Sequence, residues 1–293
     1  MPIFHHEMVK KVNQYLKSPI LVQLVCILGA YCFLYAHAME TLVSDWSTDP
    51  NFSHGFLIVP IALYMVWFNK DSLGKIPIVP SNWGLGIILF GLCLHLAGVT
   101  GAELFLMRFS MIVTLAGIIV FLLGWKLLKA LMVPLVYLII MIPIPAIIWN
   151  KVAFPLQLFA AQLSGELIQM IQIPVFREGN ILHLANTSLE VVDACSGLRS
   201  LTSLIALTGI FAYLAPFTNF KKWVLFLSAI PIAVAVNVIR LTITGAMAHW
   251  IGPDTAHGFL HDMSGLIIFS MALGLVYLVF IIEMKIERRQ KIK

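Results

Sequence analysis

Three residues in the C-terminal third of the chain are of types that together perform acyl-transfer chemistry. Cys195, Arg240 and His261 supply a thiol, a guanidinium and an imidazole. A thiol attacks a carbonyl as the thiolate, which a nearby cation and a helix N-terminus both favour. Arginine can stabilise a thiolate or an oxyanion but is no base at ordinary pH, whereas histidine can protonate a leaving amine. The set therefore predicts a nucleophile, a charge stabiliser and an acid–base group.

Residues that follow Cys195 would support the same chemistry. Ser196 and Gly197 continue from a predicted helix start, where backbone N–H groups are unpaired and available to an oxyanion. Arg199 lies four residues after Cys195, so both would share one helical face. Arg199 could thus be the closer cation.

Each of these residues alone also has a simpler interpretation. A cysteine in a membrane protein is often a small apolar core residue, and Cys26, Cys32 and Cys93 are interpreted in that way. An intramembrane arginine can neutralise a buried acid or bind lipid phosphate. His249 and His257 compete with His261 for the acid–base role.

Composition shows which solvent surrounds these residues. Of 293 residues 60% are hydrophobic and 11% are charged, and the mean hydropathy is +0.94. Soluble proteins have about 45–50% apolar and about 25% charged residues. A soluble core could not hide this much apolar side chain, which excludes a soluble enzyme, a disordered chain and a nucleic-acid binder. The four scattered cysteines and the histidine spacing imply no disulfide framework, metal or other cofactor.

The sequence predicts an all-α polytopic membrane protein with about eight transmembrane helices. A full span needs about 20 apolar residues. The apolar runs fall at about 20–39, 55–69, 83–99, 104–124, 126–144, 195–215, 223–250 and 264–282. The first is interpreted as an uncleaved anchor because it is longer than the core of a signal peptide, although residues 36–38 resemble a cleavage site.

Basic residues predict the orientation, because cytoplasmic connections are enriched in Lys and Arg. With both termini cytoplasmic, the inner segments hold 14 of the 19 basic residues, namely Lys10, Lys11, Lys17, Lys70, Lys75, Lys126, Lys129, Lys221, Lys222, Lys285, Arg288, Arg289, Lys291 and Lys293. Arg240 would then lie about 26 Å along its helix from Trp223. Cys195, Arg240 and His261 are accordingly expected at one depth near the outer face.

A long outer connection is predicted to have structure of its own. Residues 146–172 mix apolar and polar side chains in the manner of an interfacial helix, broken or bent near Pro155. The alternation over Asn180–Asp193 predicts a small β-hairpin around residues 185–187, leading directly to Cys195.

Short strings in this sequence resemble the exosortase/archaeosortase family. Three blocks match its signatures in order and spacing: Asp193–Ser200 (DACSGLRS), Asn237–Arg240 (NVIR) and His261–Gly265 (HDMSG). Upstream similarity covers Trp46, Ser53–Phe56, Phe154–Gln157 and Pro174–Asn180. Apart from the two tails, about 1–18 and 284–293, the resemblance covers most of a single domain.

The resemblance implies a membrane-embedded cysteine transpeptidase of the bacterial inner membrane, with its active site facing the periplasm. Its partners would be exported proteins whose C-terminal sorting tails carry a short motif (commonly Pro-Glu-Pro), an apolar span and a basic end, together with an unidentified acceptor. Cys195 would be the nucleophile, Arg240 the stabiliser and His261 the acid–base group. Substrate-binding or supporting roles are expected for Arg199, Asn237, Ser196, Gly197, Ser53, His54 and Glu178.

Other functions fit parts of the same sequence. A cysteine protease that only hydrolyses the tail would use the same residue types, and the mass of the product's new C-terminus would distinguish the two. A transporter or a polysaccharide-export component would place polar groups near the bilayer midplane, whereas the predicted cluster lies at one face. Residues 146–194 and 53–55 are expected to line the cleft, or else to be plain scaffold.

Overall fold

The computed structural model describes residues 19–185, 187–191, 198–252 and 259–292, of which most are helical. The first half contains α1 (Pro19–Leu34), α2 (Ala36–Thr48), α3 (Gly55–Phe68), α4 (Lys70–Leu73), α5 (Trp83–Thr100), α6 (Leu104–Leu123), α7 (Trp125–Tyr137) and a 3₁₀ turn (Leu138–Met141). The second half contains α8 (Ala146–Met170), β1 (Val175–Glu178), β2 (Ile181–Leu184), β3 (Ser188–Glu190), α9 (Leu198–Leu214), α10 (Asn219–Leu227), α11 (Ala229–Trp250) and α12 (Phe259–Ile292).

The helices are those of an all-α polytopic membrane protein. In the described part of the chain four are long and apolar enough to cross a membrane, or up to six if each bent pair is one span. One pair bends by 60° between α1 and α2, and the other by 85° between the 3₁₀ turn and α8. Two further apolar helices, Gly55–Phe68 and Leu201–Leu214, are shorter. Each of the eight expected stretches overlaps a helix, while the number of spans and their orientation stay predictions.

Glycines let α5 and α6 pack closely as a hairpin. Gly84, Gly91 and Gly98 recur every seven residues and therefore lie on one face of α5. A Cβ at Gly91 would lie 2.3 Å from Thr114 Oγ1, and one at Gly98 would lie 2.6 Å from the Met107 nitrogen. Because lipid offers no hydrophobic driving force, small residues that admit close backbone contact stabilise such pairs.

Helix α8 has one buried and one exposed side. It runs unbroken through Pro155, so the expected break is not found there. The buried side, which includes Ala160, Ser164 and Ile168, packs against the protein. The exposed side mixes apolar and polar side chains; these include Val152, Phe159 and Met170, and Lys151, Gln162, Glu166 and Gln169. That α8 lies in the membrane interface stays a prediction.

A small antiparallel sheet packs on the C-terminal half of α8. Strands β2 and β3 pair through Leu182 and Leu189, at the position expected for a hairpin. Strand β1 adds a third strand that the sequence analysis did not predict, in the order β1-β2-β3. The inward side chains of the sheet join α8 and α11 in one core cluster that contains Ile168, Leu182 and Val238.

Candidate active site

Polar contacts at one end of α9 to α12 establish how these helices run. Lys221 Nζ, near the start of α10, donates to Glu287 Oε2 near the end of α12 at 2.6 Å. Lys222 Nζ donates to the Tyr213 carbonyl, at the end of α9, at 3.0 Å. The ends of α9 and α12 therefore meet the start of α10. Because Leu204, Val236 and Ile268 of these helices share one core cluster, α9 and α12 run antiparallel to α11. Their starts therefore point toward the C-terminal end of α11, which we call the site end.

Two of the predicted catalytic residues, Arg240 and His261, lie toward this site end at different distances along their helices. Arg240 is half-buried on α11, and His261 lies in the first turn of α12. At 1.5 Å per residue Arg240 lies about 28 Å, and His261 about 39 Å, from the Lys221–Glu287 ion pair. The helices thus share one end, although His261 is about 10 Å farther along the axis than the expectation of one depth requires.

Several sequence predictions concern residues about which the structure gives less. Cys195, Ser196 and Gly197 lie outside the described residues, immediately before α9 begins at Leu198. Arg199 lies in the first turn of α9. The Cys195 prediction therefore stays a prediction, made on the sequence and on the position of α9.

Asn237 is buried one turn before Arg240 on α11. Its side chain is 2% exposed. Neither Nδ2 nor Oδ1 has a hydrogen-bond partner within the described residues. A buried amide without partners costs about 1–3 kcal/mol. A buried polar group of this kind, one turn before Arg240, makes Asn237 a candidate functional residue.

Helix α8 and the sheet are fixed against α11 close to Asn237. Ser164 Oγ donates to the Val238 carbonyl at 3.3 Å. A Cβ at Gly245 would lie 2.7 Å from Ile168 Cδ1, so α8 and α11 pack closely here. The sheet therefore packs on the C-terminal half of α11, and β3 ends at Glu190, five residues before Cys195.

A groove of about 650 Å³ lies between the first half of α8 and the end of the sheet. Its lining includes Asn150, Lys151, Phe154, Gln157, Asn180 and Glu190. We call it the charged groove, because Lys151 and Glu190 carry opposite charges on its two sides. The lining residues fall within 146–194, the segment that the sequence analysis expects to line the cleft or to be plain scaffold.

Trp46 and His54 bind the turn that precedes α8. Trp46 Nε1 donates to the Met141 carbonyl at 2.9 Å, and His54 Nε2 lies 3.2 Å from the Ile140 carbonyl. Pro145 has no N–H and cannot bond the Met141 carbonyl as the next helical turn would, so the indole takes its place. We call Trp46, His54, Ile140 and Met141 the corner. The corner holds the 85° bend after which α8 begins.

Other members of the upstream motif also have local partners. Gly55 is required, since a Cβ there would lie 2.2 Å from Trp46 Nε1. Ser53 Oγ donates to the Pro50 carbonyl at 3.0 Å. Burial lowers the pKa of His54, so the imidazole ring is neutral at pH 7. These contacts favour scaffold over substrate binding for Ser53 and His54.

Glu178 lies on the exposed side of the sheet. Its Oε2 is 3.1 Å from His183 Nε2, and His183 Nδ1 is 2.8 Å from Ser188 Oγ. Phe176 stacks on the same imidazole. Because these are cross-strand neighbours, they stabilise the sheet. Among the described residues no group of three His, Cys, Asp or Glu side chains could hold a metal ion.

Comparison with known proteins identifies the family. The molecule is a polytopic helical membrane protein. A family model described as Transmembrane exosortase (Exosortase_EpsH) matches residues 46–278, from the corner tryptophan to the middle of α12. The chain therefore belongs to the transmembrane exosortase family. Comparisons with curated proteins and with solved structures found no match.

Proposed function

We propose that this exosortase is a membrane-embedded cysteine transpeptidase that acts on the C-terminal sorting tails of exported proteins. The observation that carries the proposal is the direction of the helices. The Lys221–Glu287 and Lys222–Tyr213 contacts hold the ends of α9 and α12 at the start of α10, so the starts of both helices point toward the half of α11 that holds Arg240, which supports the proposal. Family membership supports the reaction class.

In the proposed reaction Cys195 attacks the scissile carbonyl of the tail. A bond forms between Sγ and the acyl carbon while the C–N bond breaks, and the thiol proton passes through His261 to the leaving amine. Arg240 stabilises the oxyanion. An acceptor amine then attacks the thioester, takes the acyl group and returns the thiol.

The buried amide of Asn237 supports a substrate site next to Arg240. An amide can pair with both the N–H and the C=O of a peptide unit. Binding a tail would therefore satisfy two groups that have no partners among the described residues. On this account Asn237 orients the peptide that Cys195 attacks.

Processing of an exported reporter tests the proposal. The reporter ends in a Pro-Glu-Pro motif, an apolar span and a basic tail, and is expressed with the full-length protein in the cytoplasmic membrane. Cys195→Ala should abolish cleavage at unchanged membrane abundance, whereas Cys93→Ala, which removes an exposed thiol on α5, should cleave normally. Normal cleavage by Cys195→Ala would refute the proposal. The mass of the new C-terminus separates transfer from hydrolysis.

A further inference from the structure

The charged groove presents two charges of opposite sign. Lys151 lines it from α8 and Glu190 from the end of β3. The two are more than 4.0 Å apart, and within the described residues neither forms an ion pair, whereas Lys221 and Arg108 pair with carboxylates at 2.6 and 2.7 Å. A ligand side chain can therefore pair with Lys151 without displacing any partner among the described residues.

The sheet wall of the groove is held in place by backbone contacts. The Val191 N–H donates to the Asn180 carbonyl at 2.9 Å, and Asn180 Nδ2 donates to the Val191 carbonyl at 3.2 Å. These bonds fix the end of β3, where Glu190 lies. A rigid wall with a charge at its end is suited to selective binding, because little entropy is lost when a ligand enters.

The groove also adjoins the proposed nucleophile. Cys195 is five positions after Glu190 in the sequence, so their Cα atoms can be at most about 18 Å apart. The volume of about 650 Å³ lies within the range of ligand sites, about 300–1,000 Å³, and accommodates a short peptide.

The chemistry of the lining favours a peptide over a lipid headgroup. The side-chain amide of Asn150 offers both donors and an acceptor, as a peptide backbone does. Strand β3 is an edge strand of the described sheet, and an extended peptide can add to such an edge. A phosphate headgroup would use the cation alone and would leave the strand edge unused.

We propose that the charged groove binds the segment of the sorting tail next to the scissile bond, and that Lys151 selects an acidic side chain in it. This inference rests on the proposed function and names the part of the chain that would read the substrate. Glu190 on the opposite side disfavours a second acidic residue, since like charges repel.

A charge-swap experiment tests the inference. Exported reporters carry seven randomised residues ahead of an apolar span and a basic tail, and cleaved tails are sequenced after expression with each full-length variant. The wild type should enrich Glu and Asp at one position. Lys151→Glu should reverse that preference to Lys and Arg, by about tenfold or more in the ratio of acidic to basic tails. Arg177→Glu, an equal charge change on β1 outside the groove lining, should keep the wild-type profile.

The outcomes separate this inference from the proposed function. If the wild type cleaves, Cys195→Ala does not, and Lys151→Glu keeps the acidic preference, the groove inference alone is overturned. If Lys151→Glu lowers cleavage equally for tails of every charge, the groove holds something other than the tail, such as a lipid headgroup, and the inference is again overturned. If Cys195→Ala cleaves like the wild type, the proposed function falls and the inference falls with it.

Discussion

The corner and the site end of this exosortase differ in how completely their polar groups are paired. At the corner, Trp46 Nε1 and His54 Nε2 each meet a main-chain carbonyl, and of these two side chains only His54 Nδ1 lacks a partner among the described residues. At the site end, the amide of Asn237 is buried without partners among the described residues. In the charged groove, Lys151 and Glu190 likewise form no ion pair within the part of the chain that the structure describes.

We interpret this difference as one between a scaffold region, the corner, and the proposed functional region, the site end, of the same molecule. Both regions contain residues that resemble family signatures, so resemblance alone does not tell them apart. A partnered group stabilises the fold, whereas an unpartnered buried group costs stability and is explained when a ligand supplies the missing bond. The contrast predicts that substitutions at the corner lower stability and that substitutions at the site end lower activity.

The largest effect is expected for Gly55→Val at the corner. Even a single Cβ at this position would overlap the Trp46 ring, at 2.2 Å from Nε1. We expect a loss of about 3 kcal/mol, the upper part of the range for overpacked cores. Thermal unfolding of the purified protein in detergent would measure it. Gly86→Ala on α5, where an added Cβ meets nothing within 4 Å, is the control. Equal melting temperatures for the two variants would contradict the corner account.

A smaller loss is expected for Trp46→Phe. Phenylalanine keeps an aromatic ring in the core but leaves the Met141 carbonyl without a donor, at a cost of about 1–3 kcal/mol. Limited proteolysis should detect faster cleavage at the bend before α8. Trp223→Phe, at a position 60% exposed, should leave both the free energy of unfolding and the rate of proteolysis unchanged. If proteolysis at the bend does not change in Trp46→Phe, the indole does not hold the corner.

Asn237→Leu should show the opposite pattern, with little change in stability and a large loss of activity. Leucine removes two unpaired polar atoms, so the free energy of unfolding should stay within about 1 kcal/mol of the wild type or rise. Reporter cleavage should fall about tenfold or more. Asn69→Leu is the matched comparison, because Asn69 Nδ2 bonds the Met65 carbonyl at 3.1 Å and also the Tyr213 hydroxyl. If the Asn237→Leu variant is destabilised but cleaves the reporter normally, Asn237 belongs to the scaffold and not to the proposed site.

The smallest effect concerns pH and His54. Because burial lowers its pKa, the unfolded chain binds a proton at His54 more readily than the folded chain does. Stability should therefore be complete above the ordinary histidine pKa of about 6.5 and decline as the pH falls below it. His54→Gln keeps a donor for the Ile140 carbonyl and should show a weaker decline in melting temperature between pH 7.5 and pH 5. Identical declines in the two proteins would exclude His54 as a cause.

Much of the fold follows from the sequence because lipid imposes simple rules. Apolar runs near 20 residues predicted each of the helices that pass the membrane-span test, and alternation predicted strands β2 and β3. The bend at Tyr35 was not predicted, since an apolar run continues through it and only tertiary contacts of that buried ring mark the break. Strand β1 was missed because a short segment of mixed residues pairs only once its partner strand is in place.

The candidate site was harder to predict than the fold. Residue types and motif order indicated Arg240 and Asn237, but no pattern in the sequence distinguishes a histidine that holds a carbonyl from one that binds substrate. The groove depends on contacts between α8 and a sheet more than 20 residues away. Such contacts are set by packing and have no local signal.

Interception of the thioester by hydroxylamine tests the central claim most directly. Hydroxylamine added to membranes that hold the exosortase and the reporter would attack a thioester at Cys195 and leave a hydroxamate at the new C-terminus. Mass spectrometry should find that hydroxamate with the wild type and with Cys93→Ala, and should find none with Cys195→Ala. Cleaved reporter without hydroxamate, or hydroxamate formed equally by Cys195→Ala, would contradict the account.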